Sequence, residues 1–271
     1  MLVLGNKFNP TLHKTLVESS FVDYGSEVFV PTISNLSRSI KSFLLAKKEY
    51  RDAEKQVRLL HPEIAEAQDA ARLDGGLSAY YQWVRLNELR KIIEMFEINS
   101  VCEFGSGGST ALWNALIDGT VCSLEESEKW LKKTESILPQ KHSVDLIHAK
   151  RRVIEFSGEP STCYDLDEGF FNQAFDLVYI DGPTAKPINA SEEALPILDK
   201  HNKAMPNIDV ELFIGKGNPP KYILVDGRRP TVRRLCQNYA DIYDIYLRYF
   251  YNYRWARSGG FLYHTILIRK Q

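Results

Sequence analysis

A chain of 271 residues with 44% hydrophobic content can build one α/β domain with an extension, or two small domains, and is too apolar for wholesale disorder. Its 34 basic and 35 acidic side chains leave a formal net charge of −1, which argues against a protein built to coat nucleic acid or an anionic membrane. No apolar run reaches transmembrane length and Met1-Leu2-Val3-Leu4 is too short for a signal-peptide core, so a cytoplasmic setting without a membrane partner is expected. Cys102, Cys122, Cys163 and Cys236 lack paired spacing, which reads as reduced, buried thiols and not as a zinc site.

Residues 1–30 carry little periodic signal, and Val28-Phe29-Val30-Pro31 suits either an edge strand or an arm. From Ser34 or Ser37 through about Ala71 the pattern is helical, with Ile40, Phe43, Leu44, Val57, Leu60 and Ile64 among many charges; Pro62 should break or kink it. Asp74-Gly75-Gly76-Leu77-Ser78 marks a domain boundary. Residues 1–75 are then a helical extension, a dimerisation arm or a lid, and residues 76–271 the main domain. A helix follows from Ala79 to about Phe96, with Trp83, Leu86, Leu89, Ile92, Ile93 and Phe96 on one side. Tyr80, Tyr81 and Trp83 are core residues on the plainer reading and a stacking surface for a cofactor on the sharper one.

The chain is organised around Ser100-Val101-Cys102-Glu103-Phe104-Gly105-Ser106-Gly107-Gly108-Ser109-Thr110, followed by Ala111-Leu112-Trp113. It reads as a short buried strand, a tight glycine turn and the start of a helix that Ser109 or Thr110 can cap. Gly105 and Gly107 leave no Cβ between backbone and ligand, and the helix start presents free N–H groups. A dinucleotide fingerprint would want a third small residue where Thr110 stands. Glu103, two residues before the first glycine, suits a cationic group better than a pyrophosphate. The pattern Glu-x-Gly-x-Gly resembles the first motif of class I S-adenosylmethionine-dependent methyltransferases. That resemblance implies cofactor contacts from Glu103, Gly105, Ser106, Gly107, Ser109 and Thr110, with Glu103 facing the positively charged amino-acid tail.

Thr120-Val121-Cys122-Ser123-Leu124-Glu125-Glu126 reads as a second strand ending in acids. Glu125 lies about twenty residues past Gly105, the offset at which an acid meets ribose hydroxyls in βαβ nucleotide folds; Glu126 is the fallback. A helix from Glu128 to Leu138 closes at Pro139, Val144 to Ala149 forms a third strand, and Cys163 to Gly169 reads as polar loop. In the family the end of this third strand approaches the adenine, which would bring Ala149 or Lys150 near it, and His148 reads as structural. Phe175 to Ile180 is a buried fourth strand ending at Asp181-Gly182-Pro183, so Asp181 should emerge beside the glycine turn. This stretch looks like the family's fourth motif, as found in enzymes acting on small hydroxylated compounds. Asp181 could accept a hydroxyl proton, orient the hydroxyl, or hold a metal that does so.

A helix is expected from Ala190 to about Leu198. The long connection from His201 to Asn218 is the best region for specificity, with His201 an auxiliary base or, more plainly, a surface histidine. Asn218-Pro219-Pro220-Lys221-Tyr222 resembles the motif of DNA amino-methyltransferases. Lys221 stands where an aromatic should stack on a flipped base, and the segment precedes a strand, so the match is rejected. Lys221 to Asp226 forms a fifth strand. Catechol-type methyltransferases place a divalent metal between acids after the fourth and fifth strands. Asp181 and Asp226 match two ligands while Gly227 stands where the third belongs, so a divalent metal is not favoured. Arg228, Arg229, Arg233 and Arg234 suit an anionic substrate or, more plainly, a solvated helix end. Residues 242–253 and 260–269 read as a closing antiparallel hairpin.

The expected fold is therefore α/β: a Rossmann-like, doubly wound, seven-stranded sheet with an antiparallel last strand. The expected function is S-adenosylmethionine-dependent O-methylation of a small hydroxylated substrate such as a carbohydrate, with Asp181 catalytic. Homo-oligomerisation through the extension fits this reading, and a nucleic-acid substrate does not. An NAD-dependent oxidoreductase and a catalytically silent nucleotide-binding module are the alternatives.

Overall fold

The computed structural model describes residues 22–23, 36–73, 79–138, 144–183, 205–250 and 261–270. A two-residue strand, β1 (Val22–Asp23), comes first, then helices α1 (Leu36–Leu60) and α2 (Pro62–Leu73). The break between them falls at the predicted proline. Pro62 opens α2, where its missing N–H costs nothing, and the His61 carbonyl accepts from the N–H groups of Ile64 and Ala65. Next come α3 (Ala79–Phe96), β2 (Ser100–Phe104), α4 (Gly108–Leu116), β3 (Thr120–Glu125), α5 (Glu128–Ile137) and β4 (Asp145–His148). The chain continues through β5 (Arg151–Phe156), β6 (Glu159–Tyr164), a 3-10 turn (Glu168–Asn172), β7 (Leu177–Ile180), α6 (Asp209–Gly215), β8 (Tyr222–Asp226), α7 (Arg229–Tyr239), β9 (Tyr243–Phe250) and β10 (Phe261–Arg269).

The main sheet runs in the order β1-β9-β10-β8-β7-β2-β3-β4. Strands β8, β7, β2, β3 and β4 are mutually parallel, and β10 is antiparallel to both β8 and β9. Its seven longer strands form the expected doubly wound sheet with an antiparallel last strand, and β1 extends the β9 edge. Side-chain alternation sorts the interior into two layers. Val101, Tyr179, Leu224 and Ile266 face one layer with Trp83 and Leu86 of α3 and Trp113 of α4, joined by Ala53 and Val57 of α1 and Ile64 of α2. Cys102, Phe104, Leu124, Val178, Ile180 and Val225 face the other, with Phe213 of α6 and Val232 and Leu235 of α7. All four cysteines are free and buried.

Two elements depart from expectation: α6 lies within the span read as a long connection and packs Val210 and Phe213 into the core, and a hairpin stands where a loop was expected. The loop read at Cys163 is the end of a hairpin, β5 paired antiparallel with β6, and Cys163 and Tyr164 are buried. Ser157-Gly158, with φ of 53° and 78°, makes its two-residue turn, the positive-φ pair that suits a tight hairpin. Charges at Arg151, Arg152, Glu155 and Glu159 mask the alternation. The predicted strand at 28–30, the boundary at 74–78, the helix at 190–198, His201, the turn at 258–260 and the side chains of Tyr80 and Tyr81 lie outside the described residues. Among the described residues no helix is long and apolar enough to cross a membrane.

Candidate active site

Strand register builds the site. Phe104 pairs with Leu124 on one side and Ile180 on the other, and Ile180 pairs with Val225. The next residue of each strand or turn, Gly105, Glu125, Asp181 and Asp226, therefore emerges at one level along the carboxyl edge of the sheet. This is where ligands bind in doubly wound folds. A cavity of about 200 Å³ opens there, lined by Gly105, Ser106, Glu125, Glu126, Trp130, Tyr164, Asp181, Gly182, Pro183 and Arg228.

Gly105 is required by close approach. Its φ is 102°, and a Cβ there would come within 2.5 Å of the Gly182 backbone nitrogen. Backbone hydrogen bonds lock the two turns together: Gly105 N–H donates to the Leu124 carbonyl and Asp181 N–H to the Phe104 carbonyl. The glycine turn and the Asp181 turn thus meet as the sequence suggests. Trp130 of α5 covers the turn, its indole N–H donating to the Ser106 carbonyl at 2.8 Å. The Ser106 hydroxyl faces Thr134 at 3.1 Å.

Glu103 is not where the motif reading puts it. It shares the face of Val101, covered by α4, and is 0% exposed. Its carboxylate accepts hydrogen bonds from the hydroxyls of Ser109, Thr110 and Ser123 and from the indole N–H of Trp113, at 2.5, 2.5, 2.6 and 3.0 Å. Burial pushes this carboxyl up from its ordinary range, and the four donors pull against that. The expected contact with a cationic tail is thereby corrected: Glu103 holds the helix start from below. Ser109 and Thr110 are drawn inward with it. Gly107 occupies the cap position of α4, its N–H donating to the Thr110 hydroxyl at 2.8 Å. Gly107, Ser109 and Thr110 shape the loop, while Gly105 and Ser106 reach the cavity.

Glu125 is in the cavity wall. One oxygen accepts the Ser127 N–H at 2.9 Å, and burial pushes its pKa up to about 7. Glu126 lines the same wall, 3.6 Å from the Arg151 guanidinium.

Asp181 has partners that the sequence reading did not name. Arg85 of α3 binds it through Nη2, binds Asp226 through Nη1 at 3.0 Å, and donates from Nε to the Tyr179 hydroxyl at 2.9 Å. Arg228 approaches the other Asp181 oxygen at 3.7 Å while donating to the Pro183 carbonyl at 2.7 Å. Burial raises the Asp181 pKa, opposed by Arg85, reinforced by Asp226 and opposed again by Arg228. The signal for Arg85 in the sequence is an arginine set between Val84 and Leu86 in a helix of mixed polarity, and helical periodicity does not say what it meets. Trp83, the candidate stacking residue, is fully buried beneath the Arg58 guanidinium, 4.6 Å from its ring centroid. Arg234, a candidate for anionic substrate, is a buried partner of Glu211 at 2.5 Å. His148 is exposed at the end of β4, within 3.2 Å of the Glu126 carbonyl. The rejected Pro-Pro segment lies at the opposite edge of the sheet, where the Pro219 and Pro220 carbonyls accept from Arg269 and Tyr243.

The residues present do not fit a divalent metal between the ends of β7 and β8. Asp181 and Asp226 share a guanidinium, and Gly227 offers no third carboxylate. They do fit an adenosine cofactor: Glu125 is a partly desolvated acceptor suited to a vicinal diol, beside a turn with no Cβ at Gly105.

No protein-family model matches the chain, and neither does any curated protein. Solved structures do. A protein from Klebsiella pneumoniae described as a putative O-methyltransferase aligns with a TM-score of 0.51 at 12% identity, covering 84% of this chain and 100% of that one. An O-methyltransferase from Bacillus cereus, solved in complex with S-adenosylhomocysteine (SAH), aligns at 0.46 and 13% identity over 80% of this chain and 96% of its own. With the strand order and the position of the cavity, the first of these shows that the chain has the fold of the class I S-adenosylmethionine-dependent methyltransferases.

Proposed function

We propose that the chain is an S-adenosylmethionine-dependent methyltransferase that methylates a hydroxyl of a small molecule. The observation that carries this reading is the row of Gly105, Glu125 and Asp181 around one cavity at the carboxyl edge of a methyltransferase-type sheet. When bound, the cofactor supplies an electrophilic methyl on a sulfonium, already a good leaving group. The protein's contribution is therefore mainly alignment. Glu125 accepts hydrogen bonds from the ribose hydroxyls, and its charged form accepts them best. Gly105 and Ser106 let the backbone approach the cofactor, with Trp130 lining the cavity beside the same turn. Asp181, between Arg85 and Arg228, accepts the hydrogen bond of the substrate hydroxyl and turns its oxygen toward the methyl. Arg228 lines the same cavity and favours an acceptor bearing negative charge, an acidic sugar among them.

The test is transfer of a labelled methyl group to a panel of neutral and acidic hydroxylated metabolites. With the best acceptor, Asp181→Ala should lower kcat by about 100-fold, the scale of a lost acid–base or orienting group, while SAH still binds. Unchanged turnover would remove Asp181 from the mechanism.

A further inference from the structure

We infer that Arg85 takes the place of a divalent cation between the carboxylates at the ends of β7 and β8, making it a positioning residue for a metal-independent reaction. The inference rests on the methyltransferase reading for where the acceptor lies. Its geometry stands on the chain's own contacts. Arg85 comes from α3, outside the strand ends that frame the site, yet all three nitrogens of its guanidinium point into them. Nη2 binds Asp181, Nη1 binds Asp226 at 3.0 Å and Nε donates to the Tyr179 hydroxyl at 2.9 Å. The Tyr179 hydroxyl in turn faces Asp226 at 3.5 Å, and the guanidinium lies 5.8 Å from the Tyr179 ring centroid. A planar fork held at three corners fixes the rotamers of both aspartates, as a metal would, with a charge that does not depend on ion supply.

Two physical arguments keep a divalent ion out. A second cation at the same point would meet the guanidinium charge at contact distance, in surroundings that screen poorly. A hard divalent cation also wants six or more oxygens; with no carboxylate at Gly227, water would have to complete the shell beside Asp181 and Asp226, in the space that the guanidinium fills. Arg85 therefore acts through Asp181: it holds the carboxylate in the orientation that receives the substrate hydroxyl, with Arg228 on the other oxygen at 3.7 Å.

The test is Mn²⁺ binding, followed by the free-ion paramagnetic resonance signal, on the purified full chain and on Arg85→Ala, Arg85→Lys and Arg85→Ala/Asp226→Asn. Circular dichroism of the same samples reports folding, and calorimetry with SAH tests the cofactor reading separately. Wild type and Arg85→Lys should leave millimolar Mn²⁺ free. Arg85→Ala, which uncovers two carboxylates, should bind Mn²⁺ at least about tenfold more tightly than wild type, and Asp226→Asn should cancel that gain. If Arg85→Ala loses the fold, Arg85→Met keeps the bulk without the charge and takes its place. One Mn²⁺ bound by wild type and lost on Asp226→Asn would overturn the inference, and so would an Arg85→Ala or Arg85→Met chain that gains none. Failure of SAH to bind, with the Mn²⁺ pattern as expected, would instead count against the cofactor and leave the clamp standing.

Discussion

At the scale of single residues, Glu103 shows how a motif can be recognised and still be misread. Its spacing from Gly105 points to a methyltransferase turn, and the sheet is of that type. The two-residue period of β2, however, puts its side chain on the face of Val101, under α4. The partners were legible in principle, since Ser109, Thr110 and Trp113 all lie on the helix that must cover that face. The carboxylate satisfies four donors at once, and this makes it costly to remove. Glu103→Ala should destabilise the chain by about 3 kcal/mol or more, because buried donors are left unpaired, and urea unfolding would measure it. A loss below about 0.5 kcal/mol would show that the network contributes little. Arg85 is the opposite case: a residue type with no motif, whose role exists only once α3 is laid across the strand ends.

At the scale of elements, strands and their order were readable because buried parallel strands are continuous apolar runs closed by glycine turns or acids. The β5–β6 hairpin was not, since it is short, charged and only partly buried. It is tied down by tertiary contacts instead. Arg234 on α7 pairs with Glu211 on α6 at 2.5 and 3.2 Å and with Glu159 on β6 at 3.1 Å, joining three elements through one buried guanidinium. Removing one partner of such a pair strands a charge in the interior. Glu211→Ala should therefore cost about 3 kcal/mol, measured by chemical denaturation, whereas Glu159→Ala, on the exposed side, should cost under about 1 kcal/mol. Equal effects would mean that Arg234 is held by the hairpin and not by α6.

At the scale of the whole molecule, the sheet brings a glycine turn and two acids, far apart in the chain, to one edge. The cofactor claim now depends on Glu125 and the Gly105 turn, with Glu103 supporting the loop from within. Burial raises the Glu125 pKa to about 7, so the folded chain binds a proton there more tightly than the unfolded chain does. The sign follows: between its ordinary value of 4.5 and about 7 this group lowers stability as pH rises. The charged form created over the same range is the better acceptor for ribose hydroxyls, so cofactor affinity should rise through about pH 7 and then level off. The decisive measurement is calorimetric titration with SAH from about pH 6 to about pH 8, on wild type and Glu125→Gln, with NAD as the control ligand. The account predicts one site per chain for SAH, tightening with pH in wild type, weaker and flat with pH in Glu125→Gln, and no heat from NAD. An SAH titration without heat, or NAD binding at the same site with equal affinity, would contradict it.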